Sequence, residues 1–455
     1  MSLWKGRITG PMDASMERLN KSLPVDIRLL PQDAAVNRAW MAELVRLGIL
    51  TDEEHDALDA ELTNILREFE DHKFDPHALP DEDVHSLIER LLTERVGPAG
   101  AKIHSGRSRN DQVATDFRLF LRDACDEAAE RVASLMTALL DVAECHVETV
   151  MVGYTHLQPA LPMTLAFDLC SFASELARDR SRFADARRRL NECPLGSGSF
   201  AGSGVAVDRQ VLATSLGFDR PTVNALDGVS SRDAALEYMT AAAICQTTLS
   251  RRAEDGIIRA SREFGHHKLP DATSTGSSMM PQKRNPDGLE LVRAKAATIL
   301  GRTTGMLATL KGLPTAYGKD LQEDKAAAFE VHDALMLCLD VTATHFAGVT
   351  YNAEAMAASI PTECAATDFA DALVRTGLPF RQAHERVAGL IEDAEKSGKR
   401  LEDYSPEELA EHLQLPIEEC RWTPQKSISA RAVVGGTAPE AVKAQIATLR
   451  GMISS

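Results

Sequence analysis

No two cysteines in this chain fall at the CxxC spacing of a zinc or redox site, and the eight present (125, 145, 170, 193, 245, 338, 364 and 420) are scattered. Several lie in apolar helical stretches, the pattern of buried free thiols in a reducing compartment. No apolar run approaches the length of a membrane span. The opening MSLWKGRITG lacks the apolar centre of a signal peptide, so the expectation is a cytoplasmic protein. Positive charge is also short. Fifty Lys and Arg against 67 Asp and Glu give a formal net charge of −17, which argues against a nucleic-acid partner or an anionic membrane surface. Aromatic residues are only 5% while apolar residues are 44%, so an Ala- and Leu-rich, helix-leaning core is expected. Internal repeats and low-complexity tails are absent.

At 455 residues the chain is long enough for about three domains. Residues 1–107 mix short helical patterns with breakers such as Gly10-Pro11, Pro76 to Pro80 and Gly97-Pro98. From 108 to 360 the texture changes to long apolar stripes. Val132, Leu135, Met136, Leu139, Val142 and Ala143 fall on one helix face, as do Leu165, Leu169, Phe172, Leu176 and Phe183, and Leu335, Leu339, Thr342 and Phe346. Helices are expected at 108–150, 160–192, 231–264, 286–312 and 324–356, long enough to form a bundle with extended contacts between subunits. Residues 361–455 read as a smaller helical domain. The fold class is all-α, with three helical domains around a central long-helix bundle.

Two polar features have plain readings. The arginines at 178, 180, 182, 187, 188 and 189 are interleaved with Asp179 and Asp185 and read as a salt-bridged helix face. His266-His267 has no third ligand at metal-binding spacing, so no metal site is expected.

Residues 273–290, TSTGSSMMPQKRNPDGLE, are the most informative stretch. A Gly-containing loop with adjacent hydroxyls, Ser277 and Ser278, runs through Lys283 into a helix start, with Asn285 as N-cap and Pro286 at the first helical position. It offers a candidate base, a cation and backbone N–H groups able to hold an anion. Three more polar clusters sit at breaks between long helices. HSGRSRNDQ at 104–112 places Arg107, Arg109 and Asn110 beside a helix start, a good carboxylate clamp. GYTHLQP at 153–159, containing Thr155 and His156, opens the next helix. YGKDLQEDK at 317–325 is a dense polar run before another. Each alone has a bland reading as a capping cluster or solvated loop.

Together they carry a family resemblance. GSSMMPQKRNPDGLE resembles the signature of the fumarase/aspartase superfamily, filling each fixed position: Gly276, Ser277, Ser278, Met280, Pro281, Lys283, Asn285 and Glu290. Within it the chain is similar to the argininosuccinate lyases, through HSGRSRNDQVATD at 104–116, YTHLQ at 154–158, PLGSGSFAG at 194–202, KGLPTAYGKDLQEDK at 311–325, RQAHE at 381–385 and GGTAP at 435–439. The match runs along essentially the whole chain.

The resemblance implies reversible β-elimination of argininosuccinate to arginine and fumarate in arginine biosynthesis, without a cofactor. By analogy Ser277 is the base, His156 the general acid, Glu290 the carboxylate that pairs with this histidine, and Lys283 a stabiliser of the dianion. Ser22, Asn110 and Thr155 match positions that hold substrate carboxylates, with Lys283, Asn285 and Arg232 beside them. Tyr317, Gln322 and Lys325 match those that recognise the arginine half. Asp83 and His85, in DEDVH, match a motif lining the same pocket, and Arg107 and Arg109 complete the clamp. The family is a homotetramer with active sites shared between subunits.

The chain departs from the pattern at Trp4-Lys5-Gly6-Arg7-Ile8, at His266, His267, Lys268 and Thr273, at Gly318 where Asn is usual, and at Ala234. None removes a named catalytic group. They leave open a related lyase acting on another N-substituted aspartate. An inert, crystallin-like homologue is a further alternative, disfavoured because every catalytic position is filled.

Overall fold

The apolar stripes become the longest elements of the computed structural model, which describes residues 10–454. Trp4-Lys5-Gly6-Arg7-Ile8 lies outside the described residues. The long helices span Arg109–Cys145, Leu165–Leu190, Asp233–Ala260, Asp287–Leu310 and Glu323–Gly348. Leu135, Met136, Leu139, Leu176, Phe183 and Leu335 are fully buried, so the periodic positions face the core. Among the described residues, strands occur only in four two-stranded ladders, and the fold is helical. All eight cysteines are free, and all but Cys145 are buried.

Packing divides the chain into two compact units, each drawn from separated segments. The first comprises residues up to 130, 181–246 and 296–336; the second comprises 131–180, 247–295 and 337–455. The boundary falls inside each of the five long helices. The sequential domains at 1–107, 108–360 and 361–455 are a proposal about chain order and differ from these packing units. In the first unit Trp40, Leu44, Leu62, Leu87 and Leu92 form a core between short helices, while Phe120 packs edge-on to Phe329 at 4.6 Å. In the second, Phe369, Leu373, Val387, Leu390, Leu409 and Leu413 close the C-terminal helices on one another.

Two local expectations are corrected. Residues 153–159 do not open a helix. Val150–Thr155 pairs antiparallel with Gln158–Thr164 in a hairpin, and the helix starts at Leu165. Pro159 and Pro162 cannot donate to a helix ladder, β-branched Val150 and Val152 suit a strand, and Thr164 Oγ accepts the Phe167 N–H at 3.1 Å, capping the delayed helix start. Asn285 likewise is not an N-cap. It pairs with Thr275 in the short ladder Thr275–Gly276 against Arg284–Asn285, and the helix follows at Asp287.

Candidate active site

Most of the expected binding residues converge within the first unit. A cavity of about 300 Å³ is lined by Ser22, Asp83, His85, Arg109, Asn110, Tyr317, Gln322 and Lys325, together with Asp26 and Lys319. Asp83 caps the Val84–Val96 helix, accepting the Ser86 N–H at 2.7 Å, and lies 3.6 Å from Arg109 Nε. The Ser22 hydroxyl donates to Asp26 at 2.5 Å, and Asp26 also accepts the Val84 N–H at 2.9 Å. Tyr317 follows Ala316, whose φ of +76° is strained for a residue with a Cβ. Burial, then the nearby Asp324 charge, pushes the Tyr317 phenol up to about 12, so it enters the cavity as a neutral hydrogen-bond group.

Behind this wall lies a buried triad of charges. Arg232 Nε donates to Asp324 at 2.5 Å, and Lys325 Nζ donates to the other Asp324 oxygen at 2.7 Å. Arg232, Asp324 and Lys325 are 5%, 0% and 3% exposed, so two cations share one buried anion. Arg232 Nη2 has no protein partner. The excess positive charge and the free donor suit a ligand carboxylate.

His85 is oriented by residues that sequence reading did not single out. Its Nδ1 lies 3.0 Å from Asp33 and 3.3 Å from Asp116. Asp33 also accepts hydrogen bonds from Asn37 and Gln112. Burial pushes the Asp33 carboxyl up, but the charge and hydrogen bond of His85, the Arg107 charge and the Gln112 hydrogen bond outweigh it and hold it well below the usual range. Burial, then the charge of Asp33 and its hydrogen bond to Asp116, pushes the Asp116 carboxyl well above that range. The pair therefore carries one negative charge and one proton. Among the described residues Asp33, His85 and Asp116 form a grouping of metal-ligand type, with ligand atoms within 4.8 Å. The Arg107 guanidinium and the two amides already supply the positive charge and donors that such a grouping needs, so we read it as an ion-pair network. Replacing Asp116 with Asn, which mimics the protonated acid, should change stability by less than about 1 kcal/mol, whereas Asp33→Asn should cost about 3–5 kcal/mol by removing the buried anion paired with His85 and facing the Arg107 charge. Denaturant midpoints of the two variants at neutral pH check this, and equal losses would mean the proton is not on Asp116.

Arg107 itself is buried, stacked 5.9 Å from the Trp40 ring, with Nε and Nη1 unpartnered. It and Arg109 flank the start of the Arg109–Cys145 helix. Asp111 accepts the backbone N–H groups of Ser108, Gly196 and Gly198 at 3.1, 3.0 and 2.9 Å. That contact binds PLGSGSFAG to the helix start, and Asn110 Nδ2 donates to the Ser199 carbonyl at 3.1 Å. Gly198 must be glycine here: its φ is +60°, and a Cβ would meet the Gly202 carbonyl at 2.5 Å.

The expected acid and base lie in the second unit. Thr155 and His156 sit at the tip of the hairpin, exposed, on the wall of a cavity of about 1070 Å³ that Arg259, Phe264 and Arg431 also line. His156 and Leu157 both have φ +56°, the backbone of a two-residue hairpin turn usually reserved for Asn and Gly. Two consecutive left-handed non-glycine residues cost on the order of 1–3 kcal/mol each, and the strand pairing on either side holds the imidazole at the tip against that cost.

The signature loop is closed at its base by the Thr275–Gly276 and Arg284–Asn285 ladder. Thr275 Oγ donates to Asp287 at 2.6 Å, and Asn285 Nδ2 donates to Thr275 at 3.4 Å. At its head the Ser277 Oγ accepts backbone N–H groups from Met279 at 3.3 Å and Met280 at 3.0 Å. Hydrogen bonds received from two amides favour negative charge on that oxygen, which is what a serine base requires. Lys283 is exposed, as is Glu290 in the first turn of the following helix. No hydrogen bond or ion pair joins Glu290 to His156 within the chain.

Comparison with known proteins follows the same lines. A family model described as lyase matches residues 6–301, and one described as argininosuccinate lyase C-terminal matches residues 363–429. Among solved structures, EDDS lyase in complex with formate is 27% identical, with a TM-score of 0.84 over 98% of this chain and 91% of that one. An EDDS lyase variant with bound fumarate is 28% identical, with a TM-score of 0.82 over 94% and 86%. Class II fumarase from Schistosoma mansoni shares the fold at 17% identity, with a TM-score of 0.72 over 89% and 92%.

Proposed function

The chain belongs to the lyase family of the fumarase/aspartase superfamily and carries an argininosuccinate lyase-type C-terminal segment, and from that premise we propose that it is an argininosuccinate lyase, splitting argininosuccinate reversibly into arginine and fumarate. The observation that carries the reading is the cavity in which Tyr317, Gln322 and Lys325 face Ser22, Asp83, Arg109 and Asn110. It offers neutral and acidic groups for a guanidinium beside basic ones for carboxylates.

In this mechanism the Ser277 alkoxide, stabilised by the Met279 and Met280 amides, takes the proton from the carbon next to a substrate carboxylate. The electron pair moves into that carboxylate as an aci-dianion, held by Lys283 and Asn285. The carbon–nitrogen bond then breaks, His156 protonates the departing guanidine nitrogen, and fumarate remains. Glu290 serves as the carboxylate partner of His156 through another subunit. A homotetramer supplies that partner, and the exposed Leu291, Leu300 and Leu307 on the Asp287–Leu310 helix are apolar surface of the kind that subunit contacts cover. No helix among the described residues is long and apolar enough to cross a membrane.

The likeness to EDDS lyase supports a second reading, a lyase that releases fumarate from an aspartate bearing a different amine. A synthesis assay separates the two: fumarate is supplied with arginine or with alternative amines such as ethylenediamine, and its absorbance is followed. Arginine should be consumed at least about tenfold faster than any other amine, a discrimination of about 1.4 kcal/mol. Turnover of a diamine without arginine turnover would replace the first reading by the second.

A further inference from the structure

The stem of the loop that carries Ser277 is fastened by groups that the elimination does not use. Thr273, where the chain departs from the family pattern, lies two residues before the stem. Its Oγ lies 2.9 Å from His345 Nδ1 on the Glu323–Gly348 helix. The Thr273 carbonyl is pressed onto the first turn of the next helix, where a Cβ on Gly288 would come within 2.7 Å of it; only glycine lets the backbone approach this closely.

His345 cannot shift to follow a moving loop. It is 1% exposed, edge-on to Phe346 at 5.4 Å and to His267 at 6.4 Å. His267 is held in turn by the pairing of His267–Lys268 with Thr350–Tyr351 and by the Tyr351 ring at 5.9 Å. Burial holds both imidazoles down, each at about 4, so both are neutral near pH 7. The Nε2 of His345 has no partner. An apolar side chain would fill this space without burying an unsatisfied nitrogen, which costs about 1–3 kcal/mol. What the imidazole adds is a directed hydrogen bond to Thr273.

We propose that Thr273 and His345 are positioning residues for Ser277: their half-buried hydrogen bond fixes the base of the loop stem and thereby the placement of the serine oxygen. The proposal rests on Ser277 as the base, and its test has one arm that needs no substrate. In the full chain, Thr273→Val keeps the shape and removes the hydroxyl; Thr273→Ser keeps the hydroxyl. His345→Asn places an amide near the position of Nδ1, and His345→Leu does not.

Amide hydrogen exchange of residues 275–285 should quicken about tenfold in Thr273→Val, equivalent to about 1.4 kcal/mol of lost local stability, and return to the wild-type rate in Thr273→Ser. Fumarate release should lose about 10- to 100-fold in kcat with KM within about twofold, and Thr273→Ser should restore it. His345→Asn should exchange more slowly and turn over faster than His345→Leu. Wild-type exchange and kcat in Thr273→Val would overturn the proposal, as would a kcat loss that Thr273→Ser does not repair. Should the wild type turn over none of the amine substrates, exchange alone decides: a response localised to 275–285 sustains the anchor while the substrate reading fails.

Discussion

Ser277→Ala should lower kcat by about 10²–10⁴-fold, the usual loss when a positioned base is removed, while leaving assembly and thermal stability as in the wild type. The side chain makes no packing contribution that alanine would forfeit. Its contacts are the two hydrogen bonds from the Met279 and Met280 amides, and in alanine these amides sit in an exposed loop that water can reach. Neighbouring Ser278 accepts no such pair, so Ser278→Ala should cost far less. Single-turnover fumarate release measures both, and comparable losses in the two variants would move the base assignment to Ser278. The same variant tests the sharing of sites. Glu290 and His156 make no contact within one chain; in the proposed homotetramer, Ser277→Ala subunits bring intact histidines and His156→Asn subunits bring intact serines. Subunit exchange between the two should recover part of the wild-type activity. No recovery after verified exchange would mean that serine and histidine of a single chain act together.

What could be read from sequence divides by the range of the interactions. The long helices follow from periodic stripes such as Leu135, Met136 and Leu139, because burying such a stripe is a local requirement of the helix. The hairpin at 150–164 was not legible. Its turn residues, His156 and Leu157, are poor formers of a left-handed turn, and they occupy it because strand pairing on either side imposes it. In the cavity lining, Arg109 and Asn110 are legible as a carboxylate clamp beside a helix start, whereas Ser22, Asp83, His85, Tyr317, Gln322 and Lys325 follow only from the family resemblance. The residues behind the lining were missed altogether. Asp33 lies in ordinary helical text, and Asp116 and Asp324 fall inside HSGRSRNDQVATD and YGKDLQEDK without standing out; only three-dimensional packing brings Asp33 and Asp116 to His85 and Asp324 to Arg232. The Thr273–His345 bond joins residues far apart in sequence, so the unusual threonine could be noticed but not explained.

Asp324→Asn should be among the most destabilising single substitutions near the cavity. The carboxylate is fully buried between Arg232 and Lys325. Burial pushes its carboxyl up, but the charges of Lys325 and Arg232 and their hydrogen bonds overcome that, and its affinity for protons ends below the ordinary carboxylate value. An amide of the same shape leaves two buried cations facing each other without an anion, a change expected to cost about 3–5 kcal/mol. The sign with pH follows from the lowered value. The stabilisation is complete above the unfolded carboxylate pKa of about 3.9 and is lost as pH falls through the folded value. The gap between wild type and Asp324→Asn should therefore be constant from pH 5 to 8, taken as about the range of best stability, and close only in stronger acid. Denaturant midpoints across that range measure it. Fumarate or another dicarboxylate should narrow the gap at pH 7, because a bound carboxylate replaces the missing charge beside Arg232 and Lys325 and stabilises the folded state by mass action. If the variant matched the wild type without ligand, the triad could not carry the excess positive charge assigned to it, and the affinity of Arg232 and its neighbours for a ligand carboxylate would go with it.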